Sequence, residues 1–279
     1  MDYLEDKKLL ELRFSNGMMI LPFVRYKLLC SKNQDNTSSS SRNPVSKPTI
    51  FFRLFSNLIR IRVKKKKLVF FSSTLFNVEV EGEKGIYYNS MDGYYYDLFP
   101  EDSLLIEDAD EEFKWRAKNS YKSMSFIRTY LLFLSFTLSR VFNKIKPIRR
   151  IDFDYIIKNY PELYTIEELG RLDYFHRIYY SLIKWVLKKT QCNLIAVNCG
   201  SYGETYAPLI KAAHDLGIKV IEMQHGAILQ SHLGYHADDF IVNHDEYATY
   251  LPDILYSFGD YWKQYIDYFG WQSSSESVY

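Results

Sequence analysis

Residues 194–226 carry the sequence feature that most limits what this chain can fold into. Residues 194–197 form a short, continuous apolar run, which is typical of a strand buried on both faces of a parallel sheet. A loop with two glycines and a helical pattern of apolar residues follow, and residues 218–223 form a second apolar run. Strand, helix and strand in this order predict a βαβ unit. The expected fold class is therefore α/β, with a Rossmann-like parallel sheet flanked by helices.

The rest of the chain carries further strand and helix signals. Thr165 and Glu168 have the spacing of a capping box, and apolar residues recur at helical spacing after them. Pro147 ends another long apolar segment, because proline cannot continue a helix. Further strands are expected at residues 68–72, 85–88, 104–107, 240–242 and 254–258, and further helices at 123–146 and 261–269.

Composition divides the chain into three regions. Residues 1–50 form an N-terminal segment, in which the stretch 33–48 is rich in Ser, Asn and Pro and is typical of a linker. Residues 51–258 are expected to form the Rossmann-like domain. Residues 259–279 would hold the start of a helix that crosses to another domain, followed by a polar tail.

Charge and cysteine content narrow the function classes. The 279 residues carry a net charge of +1, so no overall field favours a nucleic-acid partner. Three cysteines without a paired motif fit a reducing compartment, and the acidic N-terminus lacks the pattern of a signal peptide. Arg128 and Arg140 enclose 11 residues, whereas a membrane span needs roughly 20. We therefore expect a cytoplasmic chain in which this helix is buried or interfacial.

A candidate site lies at the carboxyl edge of the predicted sheet. A right-handed crossover brings the loop at 198–204 and the turn at 224–226 to that edge, where open α/β sheets bind ligands. Glycines in both let the backbone approach a ligand closely. Thr205 can cap the following helix, whose free N–H groups would suit an anionic or polyhydroxyl ligand. The substrate-binding candidates in the loop are Gly200, Ser201, Gly203 and Glu204.

His225 and Glu222 are the catalytic candidates. Imidazole titrates near neutrality and commonly deprotonates hydroxyl groups, so His225 is a candidate general base. The alternative is a structural histidine bonded to a backbone carbonyl. Glu222 lies in an otherwise apolar strand, where an unpaired carboxylate is costly. It therefore either faces a polar partner such as His225 or Gln224, or lies in an edge strand.

Other kinds of site are weakly supported. His225, His232, His236 and His244 lie close in sequence, but Gly234 interrupts the only helical ligand spacing, and no His-Glu-x-x-His pattern occurs. We therefore expect no metal. The glycine spacing in the loop is not a dinucleotide fingerprint, no P-loop lysine follows it, and no Gly-x-Ser-x-Gly nucleophile motif is present.

Residues 219–226, a strand that ends in Glu-x-Gln-His-Gly, resemble bacterial glycosyltransferases of the two-Rossmann (GT-B) type that build capsular and other surface polysaccharides. The stretch 251–263, with Pro-Asp, a strand, Gly and Trp, is similar to their crossing into the second domain. The Gln-His-Gly turn also resembles the histidine turn of teichoic-acid glycerophosphotransferases. The resemblance covers residues 190–270.

The resemblance implies specific roles at the turn and the loop. His225 would act on the acceptor hydroxyl, Gln224 and Gly226 would shape the turn, and the loop at 200–204 would border an interdomain cleft. His232 is a further substrate-binding candidate. No cofactor is implied beyond a nucleotide-sugar co-substrate, and the acceptor would be a glycan or a lipid-linked glycan, with peripheral contact to the inner face of the plasma membrane.

The resemblance also implies a donor-binding second half of about 150 residues, whereas the sequence given ends at Tyr279. The chain is therefore expected to be the acceptor-side half of a glycosyltransferase: a truncated reading frame, a split enzyme completed by a separate donor-domain chain, or a degenerate relative. One alternative is a non-catalytic carbohydrate- or protein-binding subunit, and another is a sugar-nucleotide epimerase-like protein.

Overall fold

The computed structural model describes residues 6–25, 27, 53, 55, 63–108, 124–228, 235, 241, 243–263 and 274–277. The strands are β1 (Leu68–Ser72), β2 (Asn77–Glu79), β3 (Tyr87–Asn89), β4 (Ser103–Glu107), β5 (Met124–Ser125), β6 (Leu194–Val197), β7 (Lys219–Met223), β8 (Ile254–Ser257) and β9 (Ser274–Ser277). The α-helices with defined bounds are α1 (Gly93–Leu98), α2 (Ile127–Ile145), α3 (Ile151–Asn159), α4 (Ile166–Thr190), α5 (Tyr206–His214) and α6 (Asp245–Ala248). Short 3-10 turns cover Lys7–Leu10, Thr74–Phe76 and Gly200–Tyr202, and residues 21–25 are helical.

Seven of these strands form one parallel sheet in the order β5-β4-β1-β6-β7-β8-β9. The five central strands carry at least four residues each, and β2 and β3 form a separate antiparallel hairpin. From β1 the chain adds strands on one side and then returns to add strands on the other. This is the strand order of a Rossmann-like fold, so the predicted α/β class is confirmed.

Apolar side chains cover both faces of the central strands, as the continuous runs in the sequence predict. On one face, β1, β4, β6 and β7 pack against α2, α4 and α5. On the other face, Phe70, Leu105 and Ala196 pack against Tyr96 of α1 and Phe126.

The capping box at the start of α4 is formed as predicted. The Thr165 hydroxyl accepts a hydrogen bond from the Glu168 N–H, and the Glu168 carboxylate accepts one from the Thr165 N–H. The helix ends at Gln191, which adopts the left-handed conformation at φ 56°.

The N-terminal segment packs directly against the rest of the fold. Buried apolar residues between Leu9 and Val24 contact α3, the start of α4 and the region around Tyr250. The Tyr250 hydroxyl accepts a hydrogen bond from the Met19 N–H at 3.0 Å. At Gly203 the segment comes so close that an added Cβ would lie 2.4 Å from the carbonyl oxygen of Pro22. The segment is therefore packed against the loop that follows β6.

Several sequence expectations need correction. The helix expected at 123–146 begins at Ile127, because residues 124–125 pair with β4 as a strand. The strand expected at 85–88 lies at 87–89 in the hairpin rather than in the main sheet. The polar tail contains β9, because main-chain hydrogen bonds to β8 do not require apolar side chains.

Some predicted segments lie outside the described residues. These are the linker at 33–48, residues 264–269 of the crossing helix, and the strand expected at 240–242 apart from Ile241, which is helical. Within the part of the chain that is described, no helix is both long and apolar enough to cross a membrane.

Candidate functional site

The carboxyl ends of β1 and β6 flank the point where the strand order reverses. The connections after these neighbouring strands lead to opposite sides of the sheet, which opens a crevice where open α/β sheets bind ligands. The loop after β6 and the turn after β7 therefore lie at the same edge, as the sequence predicts.

Glu222 belongs to an interior strand, between β6 and β8, and its side chain is buried. Its Oε2 accepts hydrogen bonds from the Ser201 N–H, at 2.9 Å, and from the Ser201 hydroxyl. Its Oε1 accepts one from the Tyr235 hydroxyl at 2.7 Å. The expected polar partner is therefore confirmed and the edge-strand alternative is wrong, but the partners are not His225 or Gln224.

The environment of Glu222 moves the pKa of its carboxyl close to neutral pH. Burial raises the pKa of the carboxyl to about 7, although hydrogen bonds from Ser201 and Tyr235 act in the opposite direction. Desolvation is the larger effect because the carboxyl has no cationic partner among the groups that shift its pKa. The group can therefore gain or lose a proton in the physiological range.

His225 follows β7 directly and is half-buried among aromatic rings. Its Nδ1 lies 3.3 Å from the Tyr235 hydroxyl, and its Nε2 lies 3.3 Å from the Cys199 Sγ. The ring centres of Phe76, Tyr202 and Tyr235 lie 6.1, 6.0 and 6.2 Å from the imidazole centre. The imidazole therefore lies among aromatic rings at the carboxyl edge of the sheet.

Tyr235 connects the two catalytic candidates. Burial and the nearby Glu222 raise the pKa of its hydroxyl well above the ordinary value, so the hydroxyl keeps its proton and donates it to Glu222. The same oxygen can then accept the Nδ1–H of His225. That tautomer directs the Nε2 lone pair of His225 toward the Cys199 Sγ, 3.3 Å away.

Gln224 holds the turn in place. Its side-chain amide donates to the Gly226 carbonyl at 2.7 Å, and its side-chain oxygen accepts from the Phe258 N–H at 2.8 Å. The Gln224 N–H also donates to the carbonyl of Tyr256 in β8. Gln224 therefore fixes the position of His225 relative to two strands.

The loop after β6 has an unusual backbone. Cys199, Gly203 and Glu204 all have positive φ, at 60°, 88° and 48°. Burial, with a smaller effect from Glu222, raises the pKa of the Cys199 thiol to about 12, so the thiol is neutral beside His225. The loop thus brings Cys199 and Ser201 to His225 and Glu222, whereas Gly203 contacts the N-terminal segment.

The start of α5 differs from the expectation. Thr205 makes no capping hydrogen bond, and its hydroxyl accepts from the buried Arg128 at 3.0 Å instead. Arg128 also pairs with Asp108 after β4 and contacts the Tyr179 hydroxyl. Burial opposes the positive charge, but Asp108 and the hydroxyls of Tyr206 and Tyr179 keep the pKa of the guanidinium well above its ordinary value. A cation therefore already lies beside this helix end.

A second buried polar cluster lies at the crevice itself. Asn198, the first residue after β6, donates to Asp92 at 2.8 Å, and Asn89 donates to Ser72 at 2.8 Å and to Glu107 at 3.3 Å. Burial raises the pKa of Asp92 to about 6 and that of Glu107 to about 7. The side-chain oxygen of Asn198 is buried and has no hydrogen-bond partner among the residues that the structure describes.

Sequence reasoning did not identify the residues of this cluster or Tyr235 as site residues. Asp92 and Asn89 precede a short helix in a Tyr-rich stretch, and Tyr235 lies in a histidine-rich one, so nothing local marks them. The one sequence signal that could have identified a member of the cluster is the position of Asn198, which directly follows a predicted strand.

The histidine-rich window gives no metal centre where the structure describes it. Among those residues, no group of three His, Cys, Asp or Glu side chains is placed to hold a metal ion. His244 caps α6 by accepting the Tyr247 N–H, whereas His232 and His236 lie outside the described residues.

Comparison with protein-family models, with curated proteins and with solved structures finds no match to this chain.

Proposed function

We propose that the chain is a glycosyltransferase, or the acceptor-side half of one, that transfers a sugar from a nucleotide-sugar to a growing surface polysaccharide. The observation that carries the proposal is the series of contacts from His225 through Tyr235 to Glu222 at the carboxyl edge of a Rossmann-like sheet. The Glu-x-Gln-His-Gly resemblance supports the same assignment.

In the proposed reaction, His225 Nε2 takes the proton of an acceptor hydroxyl. The acceptor oxygen attacks the anomeric carbon of the donor sugar, and the bond from that carbon to the phosphate oxygen breaks. The bonding electrons leave with the nucleoside diphosphate, so no other reactant is needed. Tyr235 and Glu222 stabilise the imidazolium by hydrogen bonding and by negative charge.

The surroundings of His225 suit a sugar acceptor. Phe76 and Tyr202 present aromatic rings beside the imidazole, and such rings commonly stack on the apolar faces of sugars. The resemblance assigns the nucleotide to a second Rossmann domain, either covalently linked or supplied by a partner chain. No metal takes part in the proposed step.

The test is a transfer assay with a panel of nucleotide-sugars, in which release of the free nucleoside diphosphate is measured. Membranes and cell extract of the source organism supply lipid-linked acceptors and any partner chain. His225→Ala should lower acceptor-dependent release about 10²- to 10⁴-fold, the usual contribution of a general base. His214→Ala, which removes an imidazole at the far end of α5, should leave release close to that of the wild type.

Two outcomes would contradict the proposal. Equal turnover of the His225→Ala variant and the wild type would exclude the proposed base. Sugar binding by the wild-type chain without consumption of any donor, in any of these mixtures, would favour the carbohydrate-binding subunit instead.

A further inference from the structure

Helix α2 has its apolar and polar faces reversed relative to a helix that faces water. The side chains buried against α4 include Ser135, Ser139 and Asn143, one turn apart. Most of the outward side chains are apolar: Phe133 is 52% exposed and Ile145 is 76% exposed, and Leu134 and Val141 are exposed as well. Phe136 and Phe142 are exposed at the edges of this face and contact Phe175 and Tyr174 of α4. Thr137, Arg140 and Lys144 are exposed among the apolar side chains. A water-facing helix of a globular protein has the opposite pattern.

The contacts between α2 and α4 explain why the inner face is small and polar. Phe136 of α2 stacks on Phe175 of α4 with ring centres 4.2 Å apart, and Asn143 donates to the Glu167 carbonyl at 3.2 Å. At Gly170 the helices are so close that an added Cβ would lie 2.5 Å from the Asn143 side-chain oxygen. Close packing thus requires small residues inside, whereas nothing about it requires Phe133 and its neighbours outside.

The charged residues of α2 and of the segments beside it in the sequence all have one sign. From Phe113 to Ile151 the sequence contains no Asp or Glu. The exposed cations on α2 and just after it are Arg140, Lys144, Lys146 and Arg149. Arg140 and Lys144 lie one turn apart, so a row of positive charge runs along the outward face among its apolar side chains.

We propose that the outer face of α2 docks onto the surface of an anionic lipid bilayer, with the helix axis in the plane of the interface. Phe133, Leu134 and Val141 would enter the boundary between headgroups and acyl chains, and Arg140 and Lys144 would contact lipid phosphates. A second copy of this chain fits less well, because it would bring the same row of cations against itself. The inference does not depend on the proposed glycosyl transfer.

Flotation with lipid vesicles tests the proposal. The wild-type chain should float with vesicles of phosphatidylcholine and phosphatidylglycerol and bind pure phosphatidylcholine far less. Arg140→Glu with Lys144→Glu should lower partitioning roughly 30-fold or more, because each cation near an anionic surface contributes about a fivefold gain. Phe133→Ser with Leu134→Ser should weaken binding to the same vesicles without changing the fold, as judged by circular dichroism.

A matched control comes from another exposed apolar pair. Tyr94 and Leu98 on α1 are 60% and 52% exposed. Tyr94→Ser with Leu98→Ser should leave vesicle binding unchanged. An equal loss in this control would overturn the proposal, as would equal binding of the wild type to neutral and anionic vesicles.

The proposal also fails if the wild type binds no vesicles. A dimer that Phe133→Ser with Leu134→Ser converts to a monomer would then identify the face as a contact between copies. Vesicle binding requires no turnover, so a failure to bind vesicles would not contradict the proposed transfer reaction. Conversely, a chain that binds vesicles but transfers no sugar would not contradict the membrane contact.

Discussion

Tyr235 decides how the two catalytic candidates act together. Glu222 and His225 are three positions apart in the chain, yet the contacts that join them pass through a side chain ten residues further on. The carboxyl receives its hydrogen bonds from Ser201 and Tyr235, so it influences the imidazole through the tyrosine hydroxyl. In the proposed reaction Tyr235 is therefore a positioning residue rather than a group that touches substrate.

Removal of that hydroxyl gives the first prediction. Tyr235→Phe should lower kcat about 10- to 100-fold, the value of a hydrogen bond to a charged group, because the imidazolium loses its partner. KM for the acceptor should stay nearly constant, since no contact with substrate is removed. Tyr202→Phe is the matched control, because its ring also lies beside His225 and the substitution keeps that ring. An increase in KM without a fall in kcat would contradict the positioning role. An equal fall in kcat in the Tyr202→Phe control would contradict it as well.

The second prediction concerns stability and pH. The Glu222 carboxyl has an ordinary pKa of 4.5 and a pKa of about 7 in the folded chain. Between these values the unfolded state has released a proton that the folded state keeps, so the free energy of unfolding falls as pH rises. Above about pH 7 this contribution is constant. As pH rises from 4.5 to 7, the free energy of unfolding should fall by about 3 kcal/mol more for the wild type than for Glu222→Gln.

Chemical denaturation at several pH values from 5 to 8 measures this difference. Glu168→Gln is the control, because the capping box lowers the pKa of Glu168. The contribution of Glu168 to stability is therefore present at pH values above the ordinary pKa of a glutamate and is lost only as pH falls below that pKa. Parallel pH profiles for wild type and Glu222→Gln would show that the carboxyl is not desolvated as described.

At the scale of elements, the loop after β6 is shaped by what lies on either side of it. Its first residues face β7, because Ser201 bonds to Glu222. Gly203 faces the N-terminal segment, because it touches Pro22. The Ser201 carbonyl also faces this segment and accepts a hydrogen bond from Arg25 at 3.2 Å. The loop is thus held by two elements that are far apart in sequence.

Gly203 gives the third prediction. Its φ of 88° disfavours a side chain, and an added Cβ would lie 2.4 Å from the Pro22 carbonyl oxygen. Gly217 also has a positive φ, of 69°, with open space around it, so Gly217→Ala measures the cost of a positive φ without a steric contact. Gly217→Ala should cost about 1 kcal/mol, and Gly203→Ala should cost roughly 1–3 kcal/mol more through overpacking. Urea unfolding of both variants measures this, and equal midpoints would refute the close contact.

At the scale of the whole molecule, the strand order places the site. The sheet is built outward from β1, so β1 and β6 are central and their carboxyl ends border the crevice. The buried cluster of Asp92, Asn198 and Glu107 lies there because three separate connections converge at that point. The resulting architecture has its polar groups at one edge of an apolar sheet.

Hydrogen exchange tests this architecture. Amides of β1 and β6 pair with strands on both sides and lie under buried side chains, so their exchange should approach the limit of global unfolding. The β2–β3 hairpin has one ladder and exposed side chains, and its amides should exchange several orders of magnitude faster. Mass spectrometry of peptides from both regions gives the comparison. Equal protection would contradict the central position of β1.

Local patterns in the sequence were sufficient for some of the elements. Continuous apolar runs gave β6 and β7, and the Thr165–Glu168 pair gave the start of α4, because burial and capping depend on neighbours within a few residues. The βαβ order was also sufficient to bring the loop and the turn to one edge, since the carboxyl ends of parallel strands lie at the same edge of a sheet.

The partners of the site residues were decided only by the tertiary structure. Asn198 and Asp92 are 106 positions apart, and Arg128 and Thr205 are 77 apart, so no periodicity relates them. The polar strand β9 depends likewise on a main-chain ladder that a neighbour supplies. The sequence by itself determined where a polar turn ends a buried strand. Packing determined that Tyr235 and Ser201 bind the Glu222 carboxyl. Hydrogen-bond geometry between residues far apart in sequence exists only once the chain has folded.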